Sequence, residues 1–380
     1  MDGRLDGMRG RRASVGLFFA LLGAAFFALA AGPFARWARA VEFLGALSVA
    51  APKAGSTAAR VVEEEVRIPG RNGPIRGRLY FRADRPMARA IVVAHGVHHE
   101  GIDERRLVPF ARALARSGHV VLTPALDELA DYRITASGVG VIGDAVRYAL
   151  SRSDHVEGPR VGLLGFSFAG GLALVAAEDP VVGRRLAFVT SVGGHHDLSR
   201  VLRFLVRNRI ETPSGTRSVA AHEYGLVVLL YGHLERFVPP SDLEVMRAAV
   251  KAWLKEDRPG ARRLAAARKS AESERLWQLL EKGRVQTLAP DIDAVLAEKT
   301  AELGALSPSG RLAAVGVPVY LLHGTHDSVI PPSEVEWAAL ELRSHPHVAL
   351  VTPLLEHVSV TDNVGWDEKL ALVRFISRIM

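Results

Sequence analysis

The chain has 380 residues, 48% of them hydrophobic, with 35 glycines and no cysteine. This suits a globular α/β domain with room for an insertion, and it excludes disulfides, thiol nucleophiles and thiolate metal sites. The formal charge is +7, but residues 1–60 alone hold eight Arg and Lys against three Asp and Glu. That excess flanks an apolar segment and carries no nucleic-acid motif, so no nucleic-acid partner is expected.

A basic stretch, 1–12, contains Arg4, Arg9, Arg11 and Arg12, and the 23 residues 13–35 that follow carry no charge. As a helix that run is about 34 Å long, against ~30 Å of bilayer hydrocarbon. Arg36 and Arg39 lie beyond it, and four arginines against two orient the N-terminus inside. The expectation is a signal anchor that holds the remaining chain to the membrane, outside the cytoplasm. Cleavage at Ala28-Leu29-Ala30, which would free an exported protein, is the alternative. Residues 36–60 read as a linker to a domain spanning 61–380.

That domain opens with two partly alternating runs, 62–68 and 75–81, around the turn-like Pro69–Pro74, an antiparallel hairpin. Strands and helices then alternate: strand 90–94, helix near 105–117, strand 119–123, helix near 139–152, strand 160–165, helix 168–177 and strand 186–192. This is the rhythm of a mostly parallel sheet with helices on both faces. It stops at residue 198. Leu243–Leu254, Ala261–Leu280 and Ile292–Leu303 show helical spacing, and 198–310 offers no convincing strand. That segment reads as an inserted helical cap, with Leu226, Leu229 and Leu230 as candidate lid residues. Strands resume at 317–324 and 347–351.

Chemistry-bearing residues fall just past the predicted strand ends, which share one rim in a parallel sheet. After strand 160–165 comes Gly165-Phe166-Ser167-Phe168-Ala169-Gly170, a strand-to-helix elbow that exposes one serine. After 317–324 comes Asp327, and after 347–351 comes His357, 30 residues further on. In this order Ser167 is a candidate nucleophile, His357 its base and Asp327 the acid that orients the imidazole. Asp197, after strand 186–192, is a rival acid. An acyl-transfer serine also needs donors for a developing oxyanion. The Phe168 amide and the Val97 amide, in the turn His95-Gly96-Val97, are the candidates. His95, His98, His99, His195, His196, His323 and His326 also follow strand ends and could converge on a metal, yet serine chemistry needs none, so neither metal nor cofactor is expected. Asp103 and Glu104 suit a helix N-terminus. Asp127, Asp131, Tyr132 and Arg133 either line a pocket or are solvated.

The His-Gly turn, the G-x-S-x-A-G elbow, His323-Gly324-Thr325-His326-Asp327 and the late Glu356-His357 together resemble the α/β-hydrolase superfamily over residues 62–380. Gly101-Ile102-Asp103-Glu104 and Gly193–Leu198 look similar to a bacterial branch of it. The resemblance implies an α/β-hydrolase fold and a serine esterase that cleaves a small-molecule or lipid-like carboxylic ester through an acyl-enzyme. A peptidase or amidase on the same triad, or a non-catalytic binding protein of that fold, are the alternatives. Where many esterases have glycine at the elbow, this chain has Ala169.

Overall fold

A computed structural model of the chain describes residues 32–47, 59–356, 359–360 and 365–380. Helix α1 covers 32–47. The chain continues through β1 (Val61–Ile68), β2 (Ile75–Arg82), β3 (Ala90–Ala94), α2 (Leu107–Arg116), β4 (Val120–Pro124), α3 (Asp127–Ala130), α4 (Ala136–Ser151), β5 (Val161–Phe166), α5 (Phe168–Glu178), α6 (Pro180–Gly183) and β6 (Leu186–Val192). Next come α7 (Leu198–Arg207), β7 (Arg209–Thr212), β8 (Gly215–Ser218), α8 (Glu223–Gly232), α9 (Pro240–Leu254), α10 (Arg258–Ala265), α11 (Ala271–Glu281), α12 (Ala289–Glu298) and α13 (Thr300–Ala305). The last elements are β9 (Val319–Gly324), α14 (Ser333–Glu341), β10 (His347–Thr352), β11 (Leu355–Glu356), β12 (Ser359–Val360) and α15 (Trp366–Ile376).

Eight strands form one sheet in the order β1-β2-β4-β3-β5-β6-β9-β10. β2 is antiparallel to β1 and β4, and the other neighbours are parallel. The central strands are short apolar runs because both faces are covered; every residue of β3 and β4 is buried. At the edge, β1 carries Glu63, Glu64, Glu65 and Arg67, charges that discourage strand addition. One face packs Val92, Leu122 and Leu163 with Ile142, Val146 and Leu172 of α4 and α5. The other packs Ile91, Val93 and Leu164 with Leu114 of α2, Phe375 of α15 and Phe43 of α1.

The segment between β6 and β9 is mostly helical, and its apolar residues continue the first core without a break. It also contains the β7–β8 hairpin, which pairs Arg209–Thr212 with Gly215–Ser218. The polar sequence Glu211-Thr212-Pro213-Ser214-Gly215 has no strand-like alternation. The hairpin forms because Gly215 takes a φ of 143° and Trp337 of α14 ties it down, its indole N–H donating to the Glu211 carbonyl (3.2 Å). Leu226, Leu229 and Leu230 are buried in the main core, so α8 is a packed helix.

Residues 36–47 depart from the expected linker: they are helical. Ala40 and Phe43 share the α1 face buried against the body, one turn apart as a helix requires. Among the described residues no helix is long and apolar enough to cross a membrane. Most of the uncharged run, residues 13–31, lies outside the described residues.

Candidate active site

β5 ends at Phe166, and α5 begins at Phe168. Ser167 alone makes the turn, with φ 53° and ψ −133°. A side-chain-bearing residue pays about 1–3 kcal/mol for such a conformation, and it persists only where the surroundings hold it. Here the Ser167 amide donates to the Val192 carbonyl at the end of β6 (2.8 Å), and the Gly170 amide donates to the Ser167 carbonyl (2.8 Å). Gly165 is required because a Cβ there would stand 2.2 Å from the Ala169 carbonyl oxygen. Phe168 is the first residue of α5, so its N–H is one of the amides with no acceptor inside the helix.

The end of β3 closes on this elbow. A Cβ on Gly96 would lie 3.0 Å from the Ser167 Cβ, so a larger residue there would press on the serine and push the two turns apart. Val97 follows directly. His95 anchors the turn from below: its Nε2 accepts the Leu126 amide (3.0 Å), and its Nδ1–H donates to the Gly96 carbonyl (2.8 Å). Burial lowers its pKa to about 4, despite the opposing pull of the Gly96 carbonyl. His95 is therefore a neutral strut between the ends of β3 and β4.

On the far side of β5, the turn after β9 buries Asp327. Its Oδ1 accepts the Val329 and Ile330 amides (2.9 and 3.0 Å). Its Oδ2 lies 3.3 Å from His323 Nε2, which donates to the Ile330 carbonyl (2.8 Å). Gly324 has no Cβ, and one would meet the Leu355 carbonyl at 2.3 Å. The chain leading to His357 therefore passes against the turn of Asp327. His357 itself lies outside the described residues.

The rival acid is occupied elsewhere. Asp197 Oδ1 caps α7 by accepting the Arg200 amide (3.0 Å), and the Asp197 amide donates to Glu334 (2.8 Å). Buried Glu334 also accepts the Arg200 guanidinium (2.7 Å) and the His196 amide (2.9 Å). The histidines are dispersed in the same way. His195 pairs with the Leu306 carbonyl (3.0 Å) and His196 with Glu341 (2.7 Å). Among the described residues, His98, Glu100 and Glu104 bring possible metal-ligating atoms within 4.8 Å of one another. Both Glu104 oxygens are already engaged, by Arg106 (2.6 Å) and by the Leu107 amide at the start of α2 (2.9 Å). Asp103 instead pairs with Arg76 and Arg78.

The insertion reaches this rim through the start of α8. The Tyr224 hydroxyl donates to the Val97 carbonyl (3.4 Å). The His222 amide donates to the Ser328 carbonyl (2.8 Å), and His222 Nδ1 accepts the Tyr224 amide (3.2 Å). Tyr132, at φ 60°, sets its ring edge-on to Tyr224 and Tyr231, and its hydroxyl lies 3.3 Å from His99 Nδ1. Asp131 binds Lys251 of α9 and the Tyr231 hydroxyl. No spacing marked Tyr224, His222 or Tyr231 in advance. Each acts through a contact across 100 residues or more.

No family model matches this chain, and no curated protein matches it. Its similarity is to solved structures. A ligand-bound form of the rice cell wall degrading esterase LipA from Xanthomonas oryzae is 15% identical, with a TM-score of 0.51 over 89% of this chain and 93% of that one. A variant of the same esterase is 14% identical, with a TM-score of 0.50 over 84% and 89%. A hyperthermophilic esterase from the archaeon Pyrobaculum calidifontis is 17% identical, with a TM-score of 0.44 over 90% of each chain.

Proposed function

We propose that this chain, whose fold is that of the α/β-hydrolases, is a serine hydrolase that cleaves carboxylic esters through an acyl-enzyme. The observation that carries the reading is the backbone of Ser167, held at φ 53° between β5 and α5 with Gly96 of the neighbouring turn against it. A turn serine with no chemical role has no reason to keep a conformation this costly.

In this reading the Ser167 hydroxyl attacks the ester carbonyl while His357 takes its proton. The amides of Val97 and Phe168 donate to the oxygen as it gains charge. Collapse of the tetrahedral intermediate expels the alcohol, which takes the proton back from His357. Water then repeats the sequence on the acyl-enzyme and releases the acid. Asp327 holds the imidazole tautomer and stabilises the imidazolium. Its Oδ1 is spent on two amides, which fixes the carboxylate plane. The chemistry calls on no metal or cofactor.

The test is covalent labelling. A fluorophosphonate probe should label the protein, and Ser167→Ala should abolish labelling and lower kcat about 10³-fold or more against short-chain aryl esters. Labelling that survives in Ser167→Ala refutes the assignment. Matched ester and anilide substrates separate esterase from amidase activity.

A further inference from the structure

The sheet has two ends. Ser167 and Asp327 follow the C-terminal ends of β5 and β9. Arg89 immediately precedes β3 on the opposite edge, where its carbonyl accepts the Val120 amide at the start of β4 (3.0 Å). Five residues of strand separate the two edges, about 16 Å.

Helix α1 runs between these edges in a defined direction. Phe43 meets Phe110 edge-on (5.2 Å between centroids), and Phe110 meets Phe166, the residue before Ser167 (4.9 Å). One turn earlier, Arg39 Nη2 donates to the main-chain oxygen of Met380 (3.2 Å). The Met380 sulfur accepts the Ser117 hydroxyl (3.7 Å), just ahead of β4. The C-terminal part of α1 therefore points to the rim and its N-terminal part to the far edge. Gly32 extends about 10 Å beyond Arg39 in that direction. The uncharged run 13–31 joins the helix there.

That edge is crowded with arginines. Arg36, Arg85 and Arg89 are exposed around Arg39, exposed Arg378 lies two residues before the Met380 that Arg39 holds, and Arg85 Nη1 reaches within 4.0 Å of the Cβ position of Gly118. Asp84 is taken by Arg82, and Glu157 stands 3.9 Å from Arg85. No side-chain ion pair joins Arg36, Arg39, Arg89 or Arg378 among the described residues. The crowding is felt locally. Burial lowers the Arg39 pKa, and the charges of Arg85, Arg89 and Arg36 add to the effect. Buried His119 is lowered to about 4 by desolvation and then by Arg39, Arg89 and Arg85. Beside this edge Phe34 is 77% exposed on α1.

We infer that this arginine edge is a docking surface for an anionic lipid bilayer, entered by the chain at Gly32, and that it turns the Ser167 rim away from the membrane. Of these like charges Arg36, Arg39, Arg89 and Arg378 have no acidic side-chain partner among the described residues, which is costly, and anionic headgroups relieve the repulsion. Each surface arginine strengthens such docking about fivefold. The bilayer is favoured over a soluble anion because the apolar run attaches on the same edge. The orientation of the rim rests on the proposed site; the docking edge does not. If both hold, substrate reaches Ser167 from the aqueous side.

The absence of cysteine makes a single label unambiguous. In the full-length chain, Met87→Cys places an environment-sensitive fluorophore between Arg85 and Arg89, and Lys255→Cys places one on the insertion. Both positions are exposed. Each labelled protein is bound to phosphatidylcholine vesicles with about 30% phosphatidylglycerol and a headgroup nitroxide quencher, and to vesicles of phosphatidylcholine alone. Quenching at position 87 should exceed that at 255 about twofold or more in the anionic vesicles. The difference should shrink in neutral vesicles, and also when Arg89 and Arg378 are both changed to Glu. Equal quenching at the two positions, stronger quenching at 255, no binding to anionic vesicles, or a difference indifferent to lipid charge would overturn the inference. None of these outcomes touches the hydrolase reading, which Ser167 labelling tests separately.

Discussion

The Tyr224 hydroxyl, on the first turn of α8, donates to the carbonyl of Val97, 127 residues earlier in the chain. Two residues before Tyr224, the His222 amide holds the Ser328 carbonyl next to Asp327. One short stretch of the insertion therefore pins both the turn that would supply an oxyanion donor and the turn that carries Asp327, the candidate acid. The insertion is part of the site's frame. Burial raises the Tyr224 pKa, so the phenol stays protonated and remains a donor.

Tyr224→Phe removes that bond and keeps the ring. If the bond sets the orientation of the Val97 peptide, kcat on esters should fall about three- to tenfold while KM barely changes, as expected for a hydrogen bond worth about 1 kcal/mol. Affinity for a boronic acid that mimics the tetrahedral intermediate should fall by a similar factor. A change in KM alone would mean that Tyr224 only lines the pocket.

The two candidate acids should separate cleanly. Asp327→Asn should lower kcat by about 10⁴, the loss known when a triad aspartate becomes an amide. Asp197→Asn should leave kcat nearly unchanged, because asparagine caps α7 about as well as aspartate. A larger loss in Asp197→Asn would exchange the roles.

Gly171, one turn into α5, packs directly on His195. A Cβ there would come within 2.2 Å of the imidazole, and that ring is buried and bonded to the Leu306 carbonyl. Gly171→Ala should therefore destabilise the protein by about 1–3 kcal/mol through overpacking, despite the better helix propensity of alanine. Urea unfolding reads this directly. An unchanged midpoint would show that the ring can move aside.

Acid should weaken the fold through two histidines. His95 and His119 are each lowered from 6.5 to about 4, chiefly by burial. Below pH 6.5 the unfolded chain binds protons that the folded chain refuses. Their contribution is thus full above pH 6.5 and is lost as pH falls toward 4, by about 3 kcal/mol for each group. His119→Gln should flatten the acid limb of the stability profile between those values. A profile unchanged by that substitution would place the acid sensitivity elsewhere.

Much of the fold was legible in the order of residues. Buried parallel strands are short apolar runs that need no partner to be recognised, so β3, β4, β5, β6 and β9 were found within a residue or two. The elbow was legible because Gly165, Ser167 and Gly170 answer a local backbone demand within six positions. The β7–β8 hairpin and helix α1 were not. The hairpin is polar and is held by Trp337 from α14. Residues 36–47 carry an apolar face of Ala40, Phe43, Leu44 and Leu47, but it lies beside a longer uncharged run and finds its partners, Phe110, Phe375 and Met380, only in the folded chain.

The sequence by itself determined the central strands and their alternation with helices, the elbow at Ser167 and the strand-end placement of Asp327, because each follows from local periodicity or from one residue's backbone limits. Only the tertiary structure decided that Asp197 is a helix cap, that His95 is a neutral strut, that Tyr224 reaches Val97, and that Arg36, Arg39, Arg89 and Arg378 share one edge. Those relationships join residues far apart in the chain. Which groups meet is set by how the sheet orders its strands and where the helices pack, and no window of sequence contains that information.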